Sequence, residues 1–300
     1  MPESLYLRRI RLASAAQEIE FIKNLKETCY NTVYPFKIFP EKEFTEVEFE
    51  PITIFYGGNG SGKTTLLNII AEVLRLARQS AFNSSPLFSR YVDFCHADTV
   101  RLPRKSRILT SDDVSDYLLS ARTVNEGIDF RRDELFEEYK VRRDVDTPNP
   151  FTSLENYDEW LETHKARHQT KSAFVRERLR QNIDMQSNGE TAMKYYAEHI
   201  TEDALYLIDE PENSLSAKYQ IELRDFLLAS ARFYGCQFVI ATHSPIILSL
   251  PGAKIYDLDE YPVDTKKWTH LENVLTYYRF FLEHEYELSE ADAEMKDYYE

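Results

Sequence analysis

Residues Gly57-Gly58-Asn59-Gly60-Ser61-Gly62-Lys63-Thr64 fit the phosphate-loop pattern G-x-x-x-x-G-K-[ST] without a departure. Glycines there let backbone N–H groups turn inward around a phosphate, and the helix that follows adds the positive end of its dipole. Asn59, Gly60, Ser61, Gly62, Lys63, Thr64 and Thr65 are the candidate phosphate-binding residues. Lys63 is the cation that would bridge β- and γ-phosphates, and the Thr64 hydroxyl a Mg²⁺ ligand. The plain alternative is a glycine-rich turn before a helix. An apolar run that ends at the loop and a helical pattern that leaves it favour the phosphate loop.

Two further apolar runs stop at polar residues. Leu205-Tyr206-Leu207-Ile208 ends at Asp209-Glu210-Pro211. Asp209 suits a water-mediated Mg²⁺ contact, and Glu210 suits a base that polarises an attacking water. Taken alone, such a run is as often a strand entering a surface loop. Gln237-Phe238-Val239-Ile240-Ala241-Thr242 leads to His243, 34 residues after Asp209 and so one strand–helix–strand step away. A lone histidine at a strand end is usually structural. That spacing, however, places His243 at the sheet edge where α/β folds bind ligands, with a role in sensing the γ-phosphate or positioning water. Ser187-Asn188-Gly189-Glu190 is a capping box that starts a helix. The same helix N-terminus, with Ser187 and Gly189 exposed, is alternatively an anion site able to meet the γ-phosphate of a second chain.

The elements that must hold these groups can be read from periodicity. Residues 1–56 read as β-rich: Leu5–Leu12 alternates, Val47–Phe49 is apolar at every second position, and Ile52–Tyr56 is a short apolar strand. Lys63–Arg78 is helical, and residues 79–109 mix strand-like and turn-like pieces. A long helix is expected from Ser111 through Arg143, with Thr110 or Ser111 as N-cap. Asp146–Pro150 reads as a break, and two short helices are expected near 153–166 and 171–185. A strand at 204–208, a helix at 217–234, a strand at 237–241 and a last strand at 254–258 follow. The expected organisation is one domain over 1–300. Residues 1–78 and 187–260 form its nucleotide-binding core, 79–186 a helical lobe and insertion, and 261–300 a helical, acidic tail.

Composition narrows the class. The chain has 300 residues, 43% hydrophobic and 29% charged, and a formal net charge of −15. These are globular values, which exclude a disordered, collagenous or rod-like chain. No apolar run approaches the ~20 residues of a membrane span, and the N-terminus lacks the apolar segment of a signal peptide. Cys29, Cys95 and Cys236 show no paired spacing and read as reduced core thiols, which together suggest a cytoplasmic protein. The net charge disfavours general attraction to nucleic acid or membrane. Nucleic acid is left with two local basic stretches, Arg101/Arg104/Lys105/Arg107 and Lys165/Arg167/Lys171/Arg176/Arg178/Arg180, whose other reading is solvated helix faces. Trp268, Tyr277, Tyr278, Phe280 and Phe281 read as core rather than as a stacking platform. The end of the chain, Glu283–Glu300, holds eight acids and one lysine.

The order of motifs (phosphate loop, Ser-x-Gly-[Glu/Gln], strand then Asp-Glu-Pro, then Thr-His-Ser) resembles the ATP-binding-cassette ATPases. Within them it resembles the soluble SMC-type heads, and among those the compact bacterial predicted AAA-family ATPases with a cassette head. Some relatives of the latter are ATPase subunits of anti-phage systems of the Septu or retron kind. The similar segments are Tyr6–Leu12, Tyr34–Leu67, Ser187–Leu215 and Gln237–Glu260, under half the chain. The resemblance implies an α/β P-loop NTPase fold of the cassette/SMC-head type with an inserted helical lobe, and ATP and Mg²⁺ as ligands. It implies phosphates wrapped by Asn59–Thr65, Mg²⁺ supported by Thr64 and Asp209, Glu210 as catalytic base and His243 as switch histidine. Ser187 and Gly189 would contact a partner chain's ATP, and Asn213–Ser216 would pack across a homodimer. Arg9, Arg11 and Tyr34–Phe36 fall where it would place the base or ribose. Three departures stand: Ser-Asn-Gly-Glu in place of Leu-Ser-Gly-Gly-Gln, Ser216 where many cassettes have Asp, and no glutamine in a Q-loop context. Asp112 or Asp113 either stands in for that glutamine or is a first-turn helix acid.

The expected function is an ATP-hydrolysing dimeric switch for an effector such as a nuclease, in anti-phage defence or DNA maintenance. The alternatives are an ATP-gated scaffold with negligible turnover and a transporter nucleotide-binding subunit.

Overall fold

The structure is a computed structural model that describes residues 5–26, 30, 32–143, 168–179 and 188–291. It divides into two compact units, residues 1–114 with 192–300, and residues 115–191. In the first unit the elements run β1 (Leu7–Arg11), α1 (Ala15–Asn24), β2 (Glu46–Glu48), β3 (Ile52–Tyr56), α2 (Lys63–Leu74), α3 (Phe88–Val92), β4 (His96–Thr99) and β5 (Arg107–Thr110). Helix α4 (Ser111–Arg143) runs on into the second unit, which also holds α5 (Lys171–Arg178) and the start of α6 (Asn188–His199). Back in the first unit come β6 (Leu205–Asp209), α7 (Ala217–Phe233), β7 (Gln237–Ala241), α8 (Pro245–Leu248), β8 (Lys254–Asp257), β9 (Asp264–Thr265) and α9 (Glu272–Glu283).

A six-stranded sheet in the order β5-β6-β7-β3-β8-β9 carries the fold, parallel throughout except at β9. Every residue of β3, β6 and β7 is buried, which is why these strands read as unbroken apolar runs rather than as alternating ones. A second, antiparallel sheet, β2-β1-β4, covers part of the core. Gln237 joins the sheets: its buried amide oxygen accepts from the N–H of Tyr6 and Leu7, both at 2.9 Å, and its amide nitrogen donates to the Leu7 carbonyl at 2.7 Å. This is the mixed α/β, parallel-rich architecture expected.

Local differences have local causes. The β-rich reading of residues 1–56 misses α1, which Ser14 and Gln17 start with a reciprocal capping box. Helix α2 stops at Leu74, before Arg78, because Arg75 takes a left-handed conformation (φ 51°) and its N–H closes on Ala71 and Glu72. Thr110 caps α4: its hydroxyl accepts the Asp113 N–H at 3.2 Å while Asp113 accepts the Thr110 N–H at 2.8 Å. Asp113 thus acts as a first-turn helix acid, and it also takes the Ser80 N–H.

The aromatic stretch near the C-terminal end is corrected. Trp268, Tyr277, Tyr278, Phe280 and Phe281 are 38–58% exposed, not core. Leu271 and Val274 anchor the start of α9 in the core, and from Thr276 on the helix runs clear of it. In the second unit, Leu135, Tyr139, Phe174 and Val175 form a small core. Two members of the second basic stretch are engaged there, Lys171 over the Phe136 ring at 3.9 Å and Arg178 over Phe174 at 3.8 Å. Cys95 and Cys236 are buried free thiols, whereas Cys29, the 146–150 break and the helix expected near 153–166 lie outside the described residues.

Candidate functional site

The three motif-bearing strands lie side by side, β6-β7-β3, and run parallel, so their C-terminal ends open on one edge of the sheet. The loop after β3 feeds directly into α2, whose N-cap is Gly62 at φ +103°. A side chain at Gly62 would be strained there, and its Cβ would come within 3.2 Å of Ile38. At Gly57 a Cβ would sit 2.5 Å from the Ser61 hydroxyl. Two side chains remote in sequence brace the loop. Asp259 accepts the Gly58 N–H at 2.7 Å, and Lys42 donates to the Ser61 carbonyl at 2.8 Å and to the Leu258 carbonyl. Burial pulls the Lys42 ammonium below its ordinary range, opposed by Asp259 and Asp257.

A cavity of about 370 Å³ lies over this loop, lined by Asn59 through Thr65, Glu210, Tyr34 and Ile38. The buried Lys63 ammonium donates to the Gly57 and Gly58 carbonyls at 2.7 and 3.0 Å and stands 3.7 Å from the Glu210 carboxylate. Thr64 donates its hydroxyl proton to Asp209 at 3.1 Å. Tyr34 reaches Thr65, hydroxyl to hydroxyl, at 3.1 Å.

Asp209 is buried at the end of β6, and its carboxyl is pushed up to about 7. Burial is the main cause, the Thr64 hydroxyl and Lys63 pull the other way, and Glu210 and Glu212 push further up. A buried carboxylate so poorly compensated, with a hydroxyl against it beside an anion-binding loop, suits a hard divalent cation shared with phosphate oxygens. Among the described residues no group of three or more His, Cys, Asp or Glu side chains could hold a metal ion.

This shift has a testable sign. The folded pKa lies above the unfolded one, so the folded state holds the proton more tightly. The cost of the buried charge is fully present above about pH 7, and fades as the pH falls toward the ordinary aspartate range. We expect Asp209→Asn to raise the melting temperature of the nucleotide-free chain by several degrees at pH 8 and by much less at pH 5, while impairing Mg²⁺-dependent chemistry. An unchanged or lowered melting temperature at pH 8 would remove the uncompensated charge from the account.

Glu210 sits at φ 45°, ψ 58°, a left-handed conformation that costs a non-glycine residue roughly 1 kcal/mol or more. Its N–H is held by the Ala241 carbonyl at 2.9 Å and its carboxylate accepts from the Asn213 amide at 3.0 Å. The twist aims the carboxylate into the cavity. The His243 imidazole Nδ1 stands 3.9 Å from Glu210 and 3.2 Å from Glu212.

Asn59–Thr65, Asp209, Glu210 and His243 are therefore brought together as the sequence reading expects. The expected exposure of Gly189 is corrected: it is buried in the first turn of α6 in the second unit, and Ser187 lies outside the described residues. Sequence reasoning missed Lys42, Asp259 and Glu212. The first two carry no local signal, since each reaches the loop only through the fold. Glu212 directly follows the Asp209-Glu210-Pro211 strand end, and its donors lie on another strand end, so no local signal marks it.

Known proteins resemble this chain in sequence and in structure. Residues 190–249 match a family of AAA domains of the Type IV TA system class. Among curated proteins the chain is similar to the petrobactin import ATP-binding protein YclP of Bacillus subtilis (strain 168), 23% identical over 211 residues, 70% of this chain and 73% of that one. Among solved structures it is similar to the SMC head domain from Thermotoga maritima (12% identity, TM-score 0.39, 88% of this chain and 99% of that one). It is also similar to an SmcHead bound to the C-winged helix domain of ScpA (16%, TM-score 0.36, 77% and 94%). The ABC transporter family model matches residues 45–213, more than half of the chain and a span that holds both the phosphate loop and the Asp209-Glu210 strand end. With that match and a phosphate loop, an acidic strand end and a buried parallel sheet in their expected order, the chain belongs to the ABC transporter family as an ATP-binding ATPase domain.

Proposed function

We propose that this chain hydrolyses ATP and uses binding and hydrolysis as a dimeric switch acting on a partner effector. The observation that carries the reading is that Lys63, Thr64 and Glu210 line one cavity at one sheet edge, with Asp209 bonded to Thr64 and His243 Nδ1 3.9 Å from Glu210. Lys63 binds the β- and γ-phosphates once it leaves the loop carbonyls, and the loop and α2 dipole hold the remaining phosphate charge. Mg²⁺ held by Thr64 and Asp209 would supply charge neutralisation across the phosphates. Glu210 orients a water and accepts its proton, and His243 holds that water or the γ-phosphate from the neighbouring strand end. The output of the cycle would then be a change in that partner. Such an effector, a nuclease for instance, would act in anti-phage defence or DNA maintenance, in the cytoplasm. Nucleic acid would meet the Arg101–Arg107 stretch.

Closure is tested at Gly189. If the N-terminus of α6 meets the γ-phosphate held by a second chain, Gly189→Asp repels that phosphate. ATP binding through Lys63 then persists, while ATP-dependent dimerisation and turnover both fall. Light scattering on the purified variant with Mg-ATP decides it. A folded Gly189→Asp protein that dimerises and turns over as wild type does would sink the head-to-tail dimer.

The likeness to an import ATP-binding protein favours a second reading, a transporter nucleotide-binding subunit. No helix among the described residues is long and apolar enough to cross a membrane, so that reading needs a separate membrane partner. Co-purification with one would establish it. A scaffold that binds ATP and turns over negligibly is separated from both by phosphate release.

A further inference from the structure

Glu212 lies two residues past Glu210, in the short 3₁₀ turn Pro211–Ser214, with its side chain only 6% exposed. A buried carboxylate needs donors, and this one takes three from a single tripeptide. Its Oε1 accepts the Thr242 hydroxyl at 2.7 Å, the His243 N–H at 2.8 Å and the Ser244 N–H at 3.2 Å. The same oxygen lies 3.2 Å from His243 Nδ1. Its other oxygen, Oε2, has no hydrogen-bond partner among the described residues. The turn after β7 is held from the far side too, where the Asn273 amide donates to the His243 carbonyl at 2.6 Å.

We infer that Glu212 is a positioning residue for His243. One carboxylate oxygen ties the turn after β6 to the turn after β7, so that the Glu210 base and the His243 imidazole hold a fixed spacing. Charge-assisted bonds to two successive backbone N–H groups fix the direction of the turn, and the third, to Thr242, fixes its start. The inference rests on the ATPase reading and deepens it, because Glu212 lies outside the residues lining the cavity and acts only through His243.

The test is a double-mutant cycle of Mg-ATP turnover on the full chain, comparing wild type, Glu212→Ala, Glu212→Gln, His243→Ala and the Glu212→Ala/His243→Ala pair. Glu212→Ala should lower kcat by about tenfold or more with KM for ATP within about threefold. Glu212→Gln keeps an acceptor oxygen and should stay within about threefold of wild type. In the pair, kcat should match His243→Ala within about twofold, since a residue acting through His243 has nothing left to position. If Glu212→Ala does not fold, Glu212→Asp, which keeps the charge and withdraws it by one methylene, carries the same cycle. Losses that multiply in the pair, a Gln variant as impaired as Ala, or wild-type kcat in Glu212→Ala each overturn the inference and leave the ATPase reading standing. A wild-type chain without turnover overturns both.

Discussion

Lys63→Ala abolishes productive ATP binding. The buried ammonium is the one cation lining the cavity among the described residues, and its present acceptors are the Gly57 and Gly58 carbonyls and, at 3.7 Å, the Glu210 carboxylate. With ATP in place those neighbours are exchanged for phosphate oxygens. Two charge-assisted contacts at roughly 1.5–3 kcal/mol each correspond to about 10²–10⁴ in affinity. Alanine also leaves Glu210 facing the γ-phosphate with no charge between them, which adds repulsion. Titration with a fluorescent ATP analogue checks the affinity, and a thermal melt of the nucleotide-free variant checks that the loop still folds. Full-rate hydrolysis by the folded variant would remove the phosphate loop from the chemistry.

Glu210→Gln separates binding from hydrolysis. The amide keeps the side chain's shape and can still accept from Asn213, so the left-handed turn at Glu210 is retained. It cannot take a proton from water, and a positioned base contributes typically ~10²–10⁴-fold. The variant should bind Mg-ATP at least as tightly as wild type, because one negative charge beside the γ-phosphate is gone, and should release phosphate ~10²–10⁴-fold more slowly. The ATP-bound dimer should then accumulate, visible as a doubling of the 35.3 kDa mass in light scattering. Turnover close to wild type would move the base to His243, whose Nδ1 lies 3.9 Å from the Glu210 carboxylate.

Much of this site was legible because each motif ends a fully buried strand. An apolar run that stops at a polar residue marks both the strand and its C-terminal end. In a parallel sheet all such ends face one way. Gly57–Thr64, Asp209-Glu210 and His243 therefore met without any knowledge of strand order. The strand order itself, with β7 between β6 and β3, was not legible, because crossover connections leave no local trace.

What escaped the sequence reading has the same physical character. Glu212 finds its donors about 30 residues on, and Lys42 and Asp259 brace the loop from separate turns. Each is a polar contact made only by tertiary structure. Helix α1 is not legible from periodicity, because the apolar spacing of the first 56 residues is strand-like and the signal for the helix is the capping box of Ser14 and Gln17. The aromatics of α9 were assigned to the core on residue type alone. Their burial depended on whether another element covers the helix, and beyond Val274 none of the described residues does.

The proposed function requires that three strand ends make one Mg-ATP hydrolysis site. The measurement that meets it most directly is phosphate release by the purified chain in Mg-ATP, repeated with the metal chelated and with Lys63→Ala. Steady multiple-turnover release by the wild type that stops in both controls is the expected result. Release that continues unchanged without Mg²⁺ or without Lys63, or no release from a folded chain that binds ATP, would contradict it.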